Sequence, residues 1–516
     1  MNTIKKANSM KIKLFRLVAW AMVMTAPHLT AQTYTILHPF TALTNSTNSD
    51  GAIPFAGLVL SGNTLYGTAL EGGSSGNGTV FAVNTDGTGF TVLHSFTATN
   101  DDGINSDGAS PADALILSGN TLYGTAAYGG ASGYGTVFAV NTDGTGFTNV
   151  HTFTAVYAPP YTNSDGYYPY AGLVLAGNTL YGAAFGGGAS GYGTVFAVNT
   201  DGSSFTTLYS FTATVGTAGV NGNGTNSDGG YPYNALVLSS NTLYGTAQEA
   251  GGTAGNGTVF AVNTDGSNFT TLHSFTATSG TAGDSGFGSN SDGAFPGGLI
   301  LSGNTLYGTG ADGGASGNGT VFAINTDGSD FSTLHSFTAG SGSSPLITNS
   351  DGAEPHQNLI LSGDTFYGTA EFGGTVGRGT LYAINTNGSG FTNLHNFSAS
   401  PAGRNTSLGD EPICGLILSG NTLYGTTGEG GDHAGTVFSI SFPPQLSILA
   451  SGGNVVLEWP TNFAGFDYSG YALQSITNLL SPALWTAVVP GPVVANGQFT
   501  ETNPLSGPQQ FYRLSQ

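Results

Sequence analysis

Three observations predict an all-β fold. A Leu-Tyr-Gly core (once Phe-Tyr-Gly) returns seven times, a Gly-Thr-Val-Phe-Ala-Val stretch or close variant follows each return, and the chain opens on a strand that its last unit lacks. Together they predict a seven-bladed β-propeller closed by the N-terminal strand, with a small C-terminal β-sandwich-like domain behind it. The core tyrosines are Tyr66, Tyr123, Tyr181, Tyr244, Tyr307, Tyr367 and Tyr424. The downstream stretches start at Gly78, Gly135, Gly193, Gly257, Gly319, Gly379 and Gly435.

Each full unit offers four short runs rich in Val, Leu, Phe, Tyr and Thr, the residues that suit a pleated surface. In unit one they are Gly57–Leu60, Thr64–Thr68, Thr79–Val83 and Phe90–Phe96. Ser61-Gly62-Asn63 and Thr85-Asp86-Gly87 supply turns with residues that tolerate positive φ. The third run is apolar without clean alternation, as expected of a strand covered on both faces. A linear solenoid is the competing architecture, and the ends decide against it. Tyr34-Thr-Ile-Leu-His-Pro-Phe40 copies a fourth strand with no first three before it, and unit seven stops after Gly435-Thr-Val-Phe-Ser-Ile440. One orphan strand and one vacancy close a ring and remove two aggregation-prone edges.

The first 31 residues are expected to be a signal peptide. Lys5, Lys6, Lys11, Lys13 and Arg16 precede the apolar run Leu17–Ala26, and small residues lead to Ala31. That run is too short for a membrane span, which needs roughly 20 apolar residues. The expected order is therefore signal 1–31, propeller 32–442 and C-terminal module 445–516, with an extracytoplasmic, secreted or surface-associated address. Beyond the signal only Arg378, Arg404 and Arg513 carry positive charge, against 29 carboxylates. Such a surface repels phosphate backbones and anionic lipid, so neither nucleic acid nor an anionic membrane is an expected partner. A lone cysteine, Cys414, allows no internal disulfide.

The Leu-Tyr-Gly-Thr core, the Gly-Gly-x-x-Gly-x-Gly-Thr-Val-Phe stretch and the Asp-Gly before Phe-Thr-x-Leu-His-Ser-Phe resemble the tandem repeat named for Gloeobacter and Verrucomicrobia (GloVer, or choice-of-anchor). The resemblance spans about residues 33–441. It implies an exported protein and brings no catalytic residues with it. The body has no tryptophan, unlike WD40, kelch and quinoprotein-type blades. After Pro443-Pro444 the repeat ends, and the phrases around Leu473-Gln-Ser and Gln510-Phe-Tyr-Arg-Leu514 look like a C-terminal module of secreted proteins from the same bacteria. Its tryptophans, Trp459 and Trp485, are read as core before sugar platform.

Two repeated polar signals are read as structural. His38, His94, His151, His273, His335 and His395, with Tyr209 in the seventh place, sit on different blades and cannot assemble one site; each is expected to satisfy a local backbone group. Asn-Ser-Asp-Gly before the inner strand places Asp50, Asp107, Asp165, Asp228, Asp292 and Asp351, while unit seven departs to Gly409-Asp410-Glu411-Pro412. An Asx turn is the leading reading. A calcium loop is the alternative, and it lacks the first carboxylate, because Ser46, Gly103, Tyr161, Gly224, Gly288 and Ile347 stand there. No metal site and no cofactor is expected.

Loop lengths point to a functional face. The connections after strands two and four are long and share one face of an up-and-down blade, and loops held on a rigid scaffold carry function. Off-consensus polar residues gather there in units six and seven: Glu354, His356, Glu371, Arg378, Arg404, Asp410, Glu411, Glu429 and His433. Of these, Glu354, His356, Arg378, Arg404, Glu429 and His433 are the candidate ligand-binding residues, with no catalytic residue assigned. The expected function is a non-enzymatic, monomeric binding scaffold for extracellular polysaccharide or a cell-surface component. A secreted polysaccharide-active enzyme and a calcium-stabilised surface protein are the alternatives.

Overall fold

The computed structural model describes residues 32–516 apart from 158, 217–223, 281–287, 342–347, 399–408, 431–432, 478–483 and 505–508. The expected signal peptide and Arg404 therefore lie outside the described residues. Among these residues the chain is all-β, with no helix.

In unit one the strands are Val59–Ser61, Thr64–Ala69, Thr79–Asn84 and Thr91–Ser95, joined antiparallel in chain order. Units two to six repeat this four-stranded sheet. Unit seven supplies Ile417–Ser419, Thr422–Thr427 and Thr436–Ser441, and its fourth strand is Thr33–Pro39 from the other end of the chain. Tyr34 stands opposite Ile440 and Thr35 opposite Ser439, with a bulge between Ile36 and His38. The N-terminal strand also takes over the aromatic contacts of a fourth strand. The imidazole of His38 stacks on Phe90 as His94 does on Phe147, and Tyr34 takes the phenylalanine's place beneath His395, with ring centroids 5.0 Å apart.

The repeated residues follow from how the strands cross. Gly67 faces Phe81 across the ladder, and a Cβ on Gly67 would lie 2.7 Å from the Phe81 ring and 2.7 Å from Leu58. The glycine of Leu-Tyr-Gly therefore lets the phenylalanine of Thr-Val-Phe lie across the sheet. Thr79–Val83 is buried throughout because both sheet faces are covered. One core joins Tyr66, Val80 and Phe96 to Leu115, Leu122 and Phe138 of unit two. Another joins Leu37, Tyr424 and Val437 of the last sheet to Leu58, Leu65 and Phe81 of the first. A fully buried phenylalanine such as Phe96 contributes about 1.5–3 kcal/mol.

Neighbouring sheets are also tied by a repeated backbone bond at the residue before the inner proline. Ser110 N donates to Asn77 O, Tyr168 N to Tyr134 O, Tyr231 N to Tyr192 O, Phe295 N to Asn256 O, Glu354 N to Asn318 O and Glu411 N to Arg378 O. Ile53 N donates to Ala434 O at 2.8 Å, which links unit one to unit seven. All seven donors have positive φ, from 50 to 59°. That kink, followed by proline, holds the segment off the sheet, so the first strand is shorter than the residue pattern predicts. Unit five is the exception. It has one residue fewer between Pro296 and Leu299, and its inner strand extends from Ala294 to Ser302, with a register shift between Pro296 and Leu299.

Residues 445–516 form separate sheets. Ser447–Ser451, Asn454–Pro460, Gln498–Pro504 and Val493–Ala495 make one, and Thr486–Ala487, Ala472–Ile476 and Phe511–Ser515 make another. Trp459 is fully buried with Leu457 and Leu473, whereas Trp485 is half-buried with the Arg513 guanidinium 4.5 Å from its ring centre. The module docks on units six and seven: Tyr367 donates to Ala464 O, Tyr468 donates to Phe442 O, and Phe466 stacks on Tyr367.

Candidate functional site

The loops after strands two and four meet on one face, as their lengths predict. In unit one, Asn48 Oδ1 accepts from Gly51 N and Gly73 N, while its Nδ2 donates to Thr41 O and Gly51 O. Asn-Ser-Asp-Gly is thus a turn that clips the two long connections together. The histidines correct the expectation of a backbone partner. His38 Nε2 lies 3.0 Å from Asp50 Oδ2, and the same pair forms between His94 and Asp107, His151 and Asp165, His273 and Asp292, and His335 and Asp351. Tyr209 replaces histidine by donating its hydroxyl to Asp228 at 2.8 Å. The bulge in the fourth strand turns the imidazole toward the loop, where the carboxylate is the nearer acceptor.

Each of these aspartates also accepts from a threonine. Thr41 N and Thr41 Oγ1 both donate to Asp50, and Thr97 does the same at Asp107. Burial pushes the Asp50 and Asp107 carboxyls up, but the hydrogen bonds from histidine and threonine outweigh it and hold both below the usual range. Carboxylates occupied in this way are not free to ligate calcium. Chelator is therefore expected to leave the melting temperature unchanged, and a large drop that calcium but not magnesium reverses is the contrary result.

Unit seven breaks this pattern. Asp410 bridges to Glu429 as Ala52 bridges to Glu71, so it is not the equivalent of Asp50. Leu408 holds that place in the sequence.

What distinguishes the units is three positions that face one another where the loops meet: the residue before the inner proline, the one after it, and the one that follows strand two. In unit one they are Ile53, Phe55 and Leu70, and in unit six they are Glu354, His356 and Glu371. His356 Nε2 lies 3.3 Å from Glu354 Oε2 and 3.0 Å from Glu371 Oε2. Burial alone would depress the imidazole, yet the two carboxylates lift it to about 10, so it is an imidazolium at neutral pH. The three donor atoms lie within 4.8 Å of one another, and among the described residues this is the set that could hold a metal ion. His356 and Glu371 open onto a cavity of about 220 Å³, which Phe55, Tyr233, Gln248 and Ile413 complete. Units one, four, six and seven all reach this one space.

The other candidates form a second group. Arg378 Nη1 lies 3.1 Å from Glu411 and 3.5 Å from Asp410, and His433 Nδ1 lies 3.4 Å from Glu429. These five line a cleft of about 450 Å³. Burial raises Glu411 to about 7, with Asp410, Glu371 and Glu429 adding to the rise and Arg378 opposing it. The influence of Glu371 places the two groups side by side. The structure thus assigns His356 and His433 to neighbouring sites. Residue choice missed Tyr233 and Gln248; aligning the residue after each proline through unit four would have found the tyrosine.

The repeat profile of the Gloeobacter/Verrucomicrobia family matches residues 28–224, 161–297 and 220–348. The chain belongs to this repeat family. No curated protein matches it. Among solved structures, the oligogalacturonate lyase of Vibrio parahaemolyticus is 12% identical over 80% of this chain and 93% of that one, with a TM-score of 0.44. An oligogalacturonate lyase in complex with manganese is 11% identical over 80% and 94%, with a TM-score of 0.43. A chain of a nidogen/laminin complex is 14% identical over 54% and 79%, with a TM-score of 0.31.

Proposed function

We propose that the seven sheets close into one seven-bladed propeller, and that the chain is an exported, non-enzymatic scaffold that binds extracellular polysaccharide or a cell-surface component. Closure is supported by the Thr33–Pro39 strand beside Thr436–Ser441 and by the bond from Ile53 to Ala434. The observation that carries the binding reading is the cavity shared by units one, four, six and seven. Near-identical blades give equivalent surfaces, so only departures from the repeat can select one ligand at one place. Here departures from four units meet at one cavity lined by aromatic, amide, imidazole and carboxylate groups.

A glycan array together with a reducing-sugar release assay tests this. His356→Ala combined with His433→Ala is expected to weaken binding at least about tenfold, or ~1.4 kcal/mol, in a chain that still folds, although losing the imidazolium between Glu354 and Glu371 lowers its melting temperature. Full affinity in the double variant would falsify the assignment of these two clusters. Sugar release by the wild type that Glu411→Gln abolishes favours the enzymatic alternative, for which a Glu411 carboxyl raised to about 7 in a cleft with Asp410 and Glu429 is the supporting observation.

A further inference from the structure

Aromatic residues outside the core gather on units two to four, where the repeat does not call for them. Tyr167 stands where other units have Ala52, Ala109, Gly230 or Ala294, and Tyr134 stands where they have Asn77, Asn256 or Asn318. At the three positions that carry Glu, His and Glu in unit six, unit three carries Tyr168, Tyr170 and Phe185. The rings touch in sequence. Tyr134 lies 6.0 Å from Tyr168, Tyr168 lies 4.7 Å from Tyr128, Tyr128 lies 6.0 Å from Tyr170, and Tyr170 stacks at 5.0 Å on Tyr233. The Tyr128 and Tyr170 hydroxyls also share a hydrogen bond.

This run has a cavity at each end. Tyr128, Tyr134 and Tyr168 line a cleft of about 420 Å³ with Asn77, Ser110 and Ser132 among its polar walls. Tyr233 lines the cavity shared by units one, four, six and seven. The rings are half-buried, and Tyr128 is 39% exposed. Stability does not ask for tyrosine at positions that alanine, glycine and asparagine fill in sister blades. Tyrosine does give a flat apolar face at small entropic cost, with a hydroxyl at its rim, which is why it dominates adaptable binding surfaces.

We infer that this tyrosine ledge is a binding track for a neutral oligosaccharide chain, running from the cleft lined by units one to three to the cavity shared by units one, four, six and seven. A pyranose has apolar C–H faces for the rings and hydroxyls for the amides, serines and tyrosine rims. The cleft has no cation, and the chain beyond residue 31 carries only three, so an anionic glycan gains no charge partner there. A purely apolar ligand leaves the polar walls desolvated without partners. The linear order of the rings fits a chain of sugar units better than a single small molecule. The track reaches, at Tyr233, the cavity that His356 and Glu371 also line, while its cleft end lies apart from the unit six and seven clusters; it rests on the reading of this face as the binding face.

The test is calorimetric titration with neutral cello-, xylo-, manno- and chito-oligosaccharides of increasing length. For at least one series, affinity is expected to rise with chain length and to be insensitive to salt. Tyr128→Ala with Tyr168→Ala is expected to lower it at least about tenfold at an unchanged melting temperature, while Tyr128→Phe keeps most of it. If the pair of alanines does not fold, Tyr128→Ala alone, at the most exposed ring of the cleft, carries the test with a smaller loss in the same direction. Binding that is unchanged in the folded tyrosine variant overturns the track, as does the absence of binding by every neutral series or capture of a protein instead. The His356→Ala and His433→Ala variant separates the two readings: neutral-glycan binding that needs the tyrosines and ignores the histidines supports the track and overturns the histidine clusters.

Discussion

Removal of Gln32–Ala42 lowers the melting temperature of the entire repeat body, not of one sheet. Leu37 and Phe40 are buried in the core that joins unit seven to unit one, and two such side chains contribute about 3–6 kcal/mol. The deletion also takes His38 from Asp50 and Phe90, and Tyr34 from His395. Asp50 then keeps a buried carboxylate without its imidazole or its threonine. Domain stabilities run about 5–15 kcal/mol, so the loss is a large fraction of the total. Thr436–Ser441 becomes an open edge, and the truncated chain is expected to aggregate as it melts. Scanning calorimetry with light scattering measures both effects. A truncated protein that melts at the wild-type temperature removes the case for closure by this strand.

The repeat made the sheets legible, and what escaped it was set by contacts between units. Counting Leu-Tyr-Gly cores and comparing the two ends of the chain leads to the right strand partners, because one orphan strand and one vacancy leave a single pairing. The inner strands were read too long, since the strain at Ile53 and its equivalents is imposed by a bond to the neighbouring sheet. The histidine partner was missed for a similar reason: His94 and Asp107 lie 13 residues apart, across a loop whose length varies. In unit seven, where the motif departs to Gly409-Asp410-Glu411-Pro412, the bridge to Glu429 puts Asp410 at the place of Ala52. Glu354, His356 and Glu371 were visible singly as departures from consensus. Their convergence was not, because the kinked segment that brings them together has no helical or strand period. The tyrosine ledge was hidden by composition, since tyrosine already belongs to every Leu-Tyr-Gly core.

Asp107→Ala is expected to destabilise the protein by about 3–5 kcal/mol, although Asp107 lies on a loop. Its carboxylate accepts from His94 Nε2, Thr97 N and Thr97 Oγ1, and its backbone carbonyl accepts from Thr136 Oγ1 in the core. Truncation leaves buried donors without an acceptor, at about 1–3 kcal/mol each where water does not replace it. Asp107→Asn keeps the shape and one acceptor, and falls between alanine and the wild type. The same pairs set the response to acid. Asp50, Asp107, Asp165 and Asp292 are all held below the ordinary carboxyl range, so each binds a proton more weakly folded than unfolded. Their contribution is therefore complete above the unfolded value of about 4 and is lost as pH falls through the lower folded values. The melting temperature is expected to drop steeply below about pH 4, and less steeply in Asp107→Asn, which has one fewer such group. Unit seven offers a contrast within the molecule. Leu408 replaces the aspartate there, and burial depresses His395 to about 4. The neutral imidazole keeps its stack on Tyr34, so His395→Phe is expected to cost far less than Asp107→Ala. Equal losses from the two substitutions, or a melting temperature flat from pH 6 to pH 3, would show that the carboxylates are not what clips the loops to the sheets.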